Sequence, residues 1–315
     1  METELKPPMI LNSESYKGVK AGKHIIITNG KMTLNTADDS IHSNDKLVIT
    51  GGEIAIDSGD DGIHADGTIE ISGGNIVIYK SYEGIESSNM TLSGGEISVV
   101  ASDDGINIGG GNDGSAMGRP GENSFSEGGI ERMLTITGGR ITVDAAGDGL
   151  DSNGSINMTG GHVVVYGPAN GGNGALDYDK EFLISGGTLI ATGSVGMLQA
   201  TSENSTQNTI VMTFSEGAQE AGTNVVLSDA NGKEIISIEP TKIYQSVIIS
   251  SPDIISGDSY ILTYGESKSS ELTVSSVLTY LNESGITTMP QTNVGAKGGR
   301  LGNHKDKSNE ERRAE

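Results

Sequence analysis

The sequence predicts an all-β protein: a right-handed parallel β-helix of about seven coils of ~22 residues, with a small C-terminal β-sandwich-like cap. Three observations carry this. Gly-Gly recurs on a fixed period after short apolar alternations. A second motif, Asp-Asp-Gly-aliphatic and its variants, recurs on the same period. Glycine supplies 47 of the 315 residues while only 34% are hydrophobic. That balance suits dense turns and disfavours helices, in whose interior each Gly costs roughly 1 kcal/mol.

The glycine pairs are Gly51-Gly52 in ITGGEIAI, Gly73-Gly74 in ISGGNIVI, Gly94-Gly95 in LSGGEISV, Gly138-Gly139 in ITGGRITV, Gly160-Gly161 in MTGGHVVV and Gly186-Gly187 in ISGGTLIA. Asn29-Gly30 is a degenerate first copy. The steps are 22, 22, 21, 44, 22 and 26 residues, the 44 being one period plus an insertion. Each period reads as three short strands. Leu47 and Ile49 alternate with polar residues, the glycines turn the chain, and Ile54 and Ile56 alternate again. A third strand is centred on one aliphatic residue, in turn Ile41, Ile63, Ile85, Ile106, Leu150 and Leu176. Alternation of period 2 between turns marks strands. No such coil buries its apolar face alone, so coils must stack, with equivalent residues ~4.8 Å apart. A propeller blade would need roughly 40–45 residues.

The expected layout is an N-terminal leader or cap over 1–23, the β-helix over 24–203 with a loop insertion at 108–132, a β-rich module over 204–285, and a disordered tail over 286–315. The module follows from strand-like runs such as TIVMTF, QSVIIS and YILTYG. Its role would be to cover the open end of the solenoid, which otherwise exposes an apolar edge. Residues 291–315 of the tail are polar and charged, a composition that favours disorder.

Charge and composition exclude several functions. Lys plus Arg is 20 against 42 Asp plus Glu, a net charge of −22. This disfavours nucleic acid, whose binding rests on basic patches. There is no cysteine, hence no disulfide framework and no thiolate metal site. No apolar run reaches the ~18–20 residues of a membrane span. A monomer is expected.

The second motif supplies candidate metal ligands. Its copies are ADDSIHS (37–43), GDDGIHA (59–65), SYEGIES (81–87), SDDGINI (102–108), AGDGLDS (146–152) and, more loosely, NGALDYD (173–179). Stacking turns them into columns. One holds Asp39, Asp61, Glu83, Asp104 and Asp148; its neighbour holds His42, His64, Glu86, Asn107, Asp151 and Asp177. Two carboxylates ~4.8 Å apart repel by about 1 kcal/mol in water and ~3.5 kcal/mol at an effective dielectric of 20. A cation between coils would relieve this, and Ca²⁺ suits several flexible oxygen ligands. Several Ca²⁺ ions are therefore expected among Asp39, Asp60, Asp61, Glu83, Glu86, Asp103, Asp104, Asp148, Asp151 and Asp177. The competing reading is that Asp-Asp-Gly only makes a turn, through local side-chain-to-backbone bonds. His42 and His64 hint at a transition metal, but the sequence alone favours an exposed pair.

The DDGI-(H/E/N) coils, and the insertion SDDGINIGGGNDGSAMGRPGENSF at 102–125, resemble a bacterial carbohydrate-binding family, formerly a domain of unknown function. Its best-studied members come from cellulolytic clostridia. The resemblance covers about residues 24–265. It implies a parallel β-helix with bound calcium, similar in fold to pectate lyases but associated with cellulose and acidic pectic polymers. It also implies display outside the cell or at its surface, with the signal peptide removed. By the lyase pattern D-D-G-aliphatic-D, Asp60 and Asp61 match, with His64 in the third carboxylate's place. Asp148 and Asp151 match in GDGLD, with Gly147 replacing the first Asp.

A calcium-dependent pectate lyase is the alternative to a non-catalytic binder. It would need a basic side chain to take the proton beside the substrate carboxylate, and Lys180 and Lys80 are the candidates. A binder of neutral glucan needs aromatic platforms. Tyr79 and Tyr166 both lie five residues past a second glycine, and Tyr82, Tyr178 and Phe125 are near. Arg119 in the insertion could meet an acidic sugar. Ordinary surface packing is the competing account of each aromatic.

Overall fold

The computed structural model describes residues 16–109, 132–265 and 268–289. Among them there is no helix. The coils stack as expected, and the chain is an all-β parallel β-helix of about seven turns. Each coil contributes to three sheets. Val19–Ala21, Ile41–Ser43, Ile106–Ile108, Leu150–Ser152 and Leu176–Tyr178 belong to the first, together with the starts of Ile63–Lys80 and Ile85–Ala101. The longer strands bend at Gly-Gly and so serve the second and third sheets. All neighbours within the coils pair in parallel. Ile41, Ile63, Ile85, Ile106, Leu150 and Leu176 follow one another in strict register. All six are fully buried.

The two glycines of each pair do different work. Gly74 has φ of +100°, a region that strains any side chain. Gly73 has no such φ but lies against the coil before it. A Cβ there would stand 2.5 Å from the Thr50 carbonyl oxygen. The first glycine thus permits close stacking and the second permits the turn. The insertion leaves the stack intact, because Asn89–Leu92 pair with Met133–Ile136 and Ile97–Val99 with Ile141–Val143.

The C-terminal strands do not form a detached body. Leu189–Gly193 of the last coil pairs antiparallel with Ser246–Ser250, which pairs with Thr209–Thr213, which pairs with Leu278–Asn282. The third sheet of the solenoid therefore continues past residue 204. A second sheet of Glu234–Ile238, Val225–Asp229, Ser259–Tyr264 and Lys268–Thr273 packs on its outer face. Val164 and Ile190 of the coils share that core with Ile210, Val247, Leu227 and Leu262. At the other end, Val19–Ala21 pairs with Ile41–Ser43, so the stack begins before residue 24. The tail from 290 onward, the insertion at 110–131 and residues 1–15 lie outside the described residues.

Two stability outcomes follow. Ile63→Ala removes a fully buried side chain from the middle of the ladder and should cost roughly 2–5 kcal/mol in urea unfolding, whereas Val77→Ala, half-buried on the outer face, should cost under about 1 kcal/mol. Gly73→Ala should lower the melting temperature more than Gly22→Ala, whose Cβ would meet nothing within 4 Å; equal losses would contradict the stacking role.

Candidate functional site

The first sheet and the turn before it hold the acidic groups, and the register makes them ladders. Lys20, His42, His64, Glu86, Asn107, Asp151 and Asp177 occupy successive rungs. Asp39, Asp61, Glu83, Asp104 and Asp148 form the adjacent ladder. It is tied by backbone bonds from the next residue of each coil: Ser40 N to Asp61 O (3.0 Å), Gly62 N to Glu83 O (3.0 Å), Gly84 N to Asp104 O (2.9 Å) and Gly105 N to Asp148 O (2.9 Å). Further out, Asp60, Tyr82 and Asp103 follow one another, with Tyr82 N on Asp60 O at 2.8 Å and Asp103 N on Tyr82 O at 2.9 Å.

Neutralisation differs along the ladders. At the first rungs Asp39 is fully buried, and its carboxylate accepts from Lys17 Nζ and from His42 Nδ1 at 2.7 Å. Lys17 also reaches Asp38 at 3.2 Å. Burial acts to raise the Asp39 carboxyl, but these bonds outweigh it and hold it down at about 2. The histidines are not an exposed pair. His42 and His64 are both buried and stack with ring centroids 4.9 Å apart. The sequence reading failed there because neighbouring side chains pack around the rings: Asp39 against His42, Asp61, Asp66 and Glu86 against His64, and each ring against the other.

One coil on, burial raises the Asp61 carboxyl and the Glu86 and Asp39 carboxylates add to it, against the hydrogen bond with His64. Burial likewise raises Glu83, with Glu86 and Asp61 adding, while Asn107 Nδ2 donates to Glu83 Oε2 at 2.8 Å. Asn107 Oδ1 is buried with no hydrogen-bond partner among the described residues. Burial also pushes Asp104 up to about 7, with Asp148 and Asp103 contributing, although the Asp148 amide donates to it at 2.6 Å. Gly147 is required here, because a Cβ would lie 2.6 Å from Asp103 Oδ1. The missing first Asp of that copy is the space its neighbour fills.

Oxygens of Asp104, Asp148 and Asp151 lie within 4.8 Å of one another, as do those of Asp38, Asp39 and Asp60. Two oxygens on one Ca²⁺ cannot be more than about 5 Å apart, so both groups are within reach of a shared ion. Asp177, on the next rung, accepts from Gln199 Nε2 at 2.9 Å.

The aromatic candidates divide. Tyr79 and Tyr82 are exposed. The Tyr82 hydroxyl is hydrogen-bonded to Asp103, which pushes it up to about 12. Tyr166 is half-covered against the C-terminal core. Tyr178 donates its hydroxyl to Ala200 O at 2.7 Å and meets Phe182 edge-on, so its ring is part of the packing. Phe125 and Arg119 lie outside the described residues. Lys80 and Lys180 are exposed.

Fold and surface together define a parallel β-solenoid with paired acidic ladders and with Tyr79 and Tyr82 exposed three residues apart in one coil. The model of a family described as carbohydrate-binding domain-containing protein matches residues 6–62, the family that the repeats resemble, and supports a carbohydrate-binding role. The match spans the first strands, the Asp38-Asp39-Ser40 turn and the first Asp-Asp-Gly turn at 60–62. No curated protein and no solved structure matches the chain. No helix among the described residues is long and apolar enough to cross a membrane.

Because the folded Asp104 carboxyl lies above its unfolded value of about 3.9, the stability it contributes is complete below about pH 4 and is lost as pH rises through about 7. The chelated protein should therefore melt several degrees lower at about pH 8 than at about pH 5. A rising melting temperature over that range would mean that the ladder carries no net repulsion.

Proposed function

We propose that the protein is an exported, non-catalytic binder of plant-type polysaccharide, acidic pectic polymer or cellulose, held to it in part through Ca²⁺ on the acid ladders. The observation that carries this is Tyr82, an exposed ring set between Asp60 and Asp103 on the outermost acidic rung. A sugar stacked on Tyr82 and Tyr79 would lie beside the carboxylates. A polyanion alone would be repelled there, but calcium bound by this chain and by the polymer's carboxylates would turn repulsion into a bridge.

The residues fit the ion. Asp104, Asp148 and Asp151 offer only hard oxygens, and the buried Asn107 carbonyl oxygen on the neighbouring rung lacks a donor. Asp103, Asp177 and the group of Asp38, Asp39 and Asp60 would extend the set. Calcium would supply neutralisation between coils and an open coordination position. The chain's own residues would do the rest: the tyrosines orient the sugar face, and the ladder fixes its spacing.

The test is retention on immobilised polygalacturonate with calcium and with chelator, while following absorbance of unsaturated uronate. Retention should require calcium, Tyr82→Ala should weaken it about tenfold or more, and absorbance should stay flat. Calcium affinity should fall more for Asp148→Asn than for Asp45→Asn. Rising absorbance would make the protein a lyase, with Lys180 and Lys80 the first bases to replace. Retention that ignores both calcium and Tyr82 would end this reading.

A further inference from the structure

Two overlapping places on the ladders present nitrogen as well as oxygen: Asp39 with His42 and His64, and Asp61 with His64 and Glu86. His64 is fully buried. Its Nδ1 lies 3.0 Å from Asp61 Oδ2 and 2.8 Å from Glu86 Oε2. Its Nε2 lies 3.2 Å from Asp66 Oδ1. The ligand atoms of Asp61, His64 and Glu86 are within 4.8 Å of one another, and all three residues are buried. The stacked His42 ring covers one face of the imidazole.

A single N–H at Nδ1 cannot point straight at two oxygens on different residues, and hydrogen bonds weaken steeply as they bend. A metal ion suffers no such limit. Three ligands on one side of an ion at about 2.0–2.2 Å stand about 2.9–3.5 Å apart, close to the spacings found. The other ring nitrogen is also as a ligand requires. A metal-bound imidazole donates its remaining N–H to a carboxylate, and Asp66 occupies that place. The charge argument agrees. Asp61, Asp66 and Glu86 all contact one ring, so a proton on it supplies one positive charge where a divalent ion supplies two.

The preceding rung shows the contrast. There Lys17 and His42 already occupy Asp39, and the chain neutralises itself. Beyond Glu86, an observation outside the cluster bears on the same ladder. Asn107, the rung after Glu86, holds Glu83 through Nδ2 while its buried Oδ1 accepts from no donor among the described residues, so the polar demand on this side of the ladder is not met by the chain's own groups.

We propose that Asp61 Oδ2, His64 Nδ1 and Glu86 Oε2 form a site for a borderline divalent transition ion, of which zinc is the representative, with Asp66 orienting the ring. Imidazole favours such ions, whereas calcium favours oxygen alone. The ladder thus holds two kinds of cation position: this one, and the oxygen-only group at Asp104, Asp148 and Asp151. The inference rests on the ladders as cation-binding surfaces, but not on carbohydrate.

The test uses the full chain, stripped with chelator and then titrated with zinc in saturating calcium. One zinc equivalent should remain bound, and cobalt in its place should give a visible spectrum of mixed nitrogen and oxygen ligation. His64→Asn and Glu86→Gln should each weaken zinc by about tenfold or more, while Asp258→Asn, exposed in the C-terminal module, leaves zinc unchanged. If His64→Asn does not fold, the ¹⁵N resonances of His64 in the unaltered protein give the answer, since zinc must move Nδ1 far more than Nε2. Complete displacement of zinc by calcium, zinc affinity unaffected by Glu86→Gln, or an unmoved Nδ1 would each overturn the proposal. Loss of the zinc site with calcium-dependent polysaccharide retention intact ends this inference alone. Zinc bound without retention ends the functional reading alone.

Discussion

Everything in this molecule depends on the ~4.8 Å parallel register between coils. Register converts a repeated residue into a ladder, and a ladder multiplies whatever its residue does. Facing inward, the ladder from Ile41 to Leu176 multiplies burial, roughly 1.5–3 kcal/mol for each side chain taken from water. Facing outward, the ladder from Asp39 to Asp148 multiplies repulsion. The same geometry therefore builds the core and creates the charge problem on its surface.

The chain answers that problem differently from coil to coil. Lys17, from before the first full repeat, reaches Asp38 and Asp39. His64 lies among Asp61, Asp66 and Glu86. Asn107 replaces an acid and donates to Glu83, and Gln199 donates to Asp177. Around Glu83 and Asp104 the answer is protonation, since burial and like neighbours favour the neutral carboxyl there. The exposed Tyr82 is hydrogen-bonded to Asp103 beside those groups, which is why sugar and cation readings converge on that turn of the solenoid.

The two ends contrast. The last coil hands its third sheet to Ser246–Ser250 and onward, and a four-stranded sheet covers the outer face of that extension. Its apolar strand edge is thus paired and covered. The first coil carries Lys17, Lys20, Lys23 and Lys31 and no carboxylate between residues 16 and 35. Lysines on a terminal strand oppose edge-to-edge association, and here they also bring positive charge to the head of an acid ladder.

The sequence by itself determined the coil period, the inward aliphatic ladder, the glycine turns and the membership of both acid columns. Each is a local pattern repeated at a constant interval, and stacking can only copy such a pattern. Contacts without a period were decided by the tertiary structure. The burial of His42 and His64 depends on how the carboxylates of neighbouring coils and the two rings pack on one another, which no spacing encodes. Gly147 makes sense only once Asp103 and Asp104 of the previous coil fill its space. Tyr178 matched the exposed tyrosines in type, yet Phe182 and the Ala200 carbonyl draw it into the packing. The merging of the C-terminal strands with the last coil likewise joins segments tens of residues apart, through backbone hydrogen bonds that any suitable strand edge could have accepted.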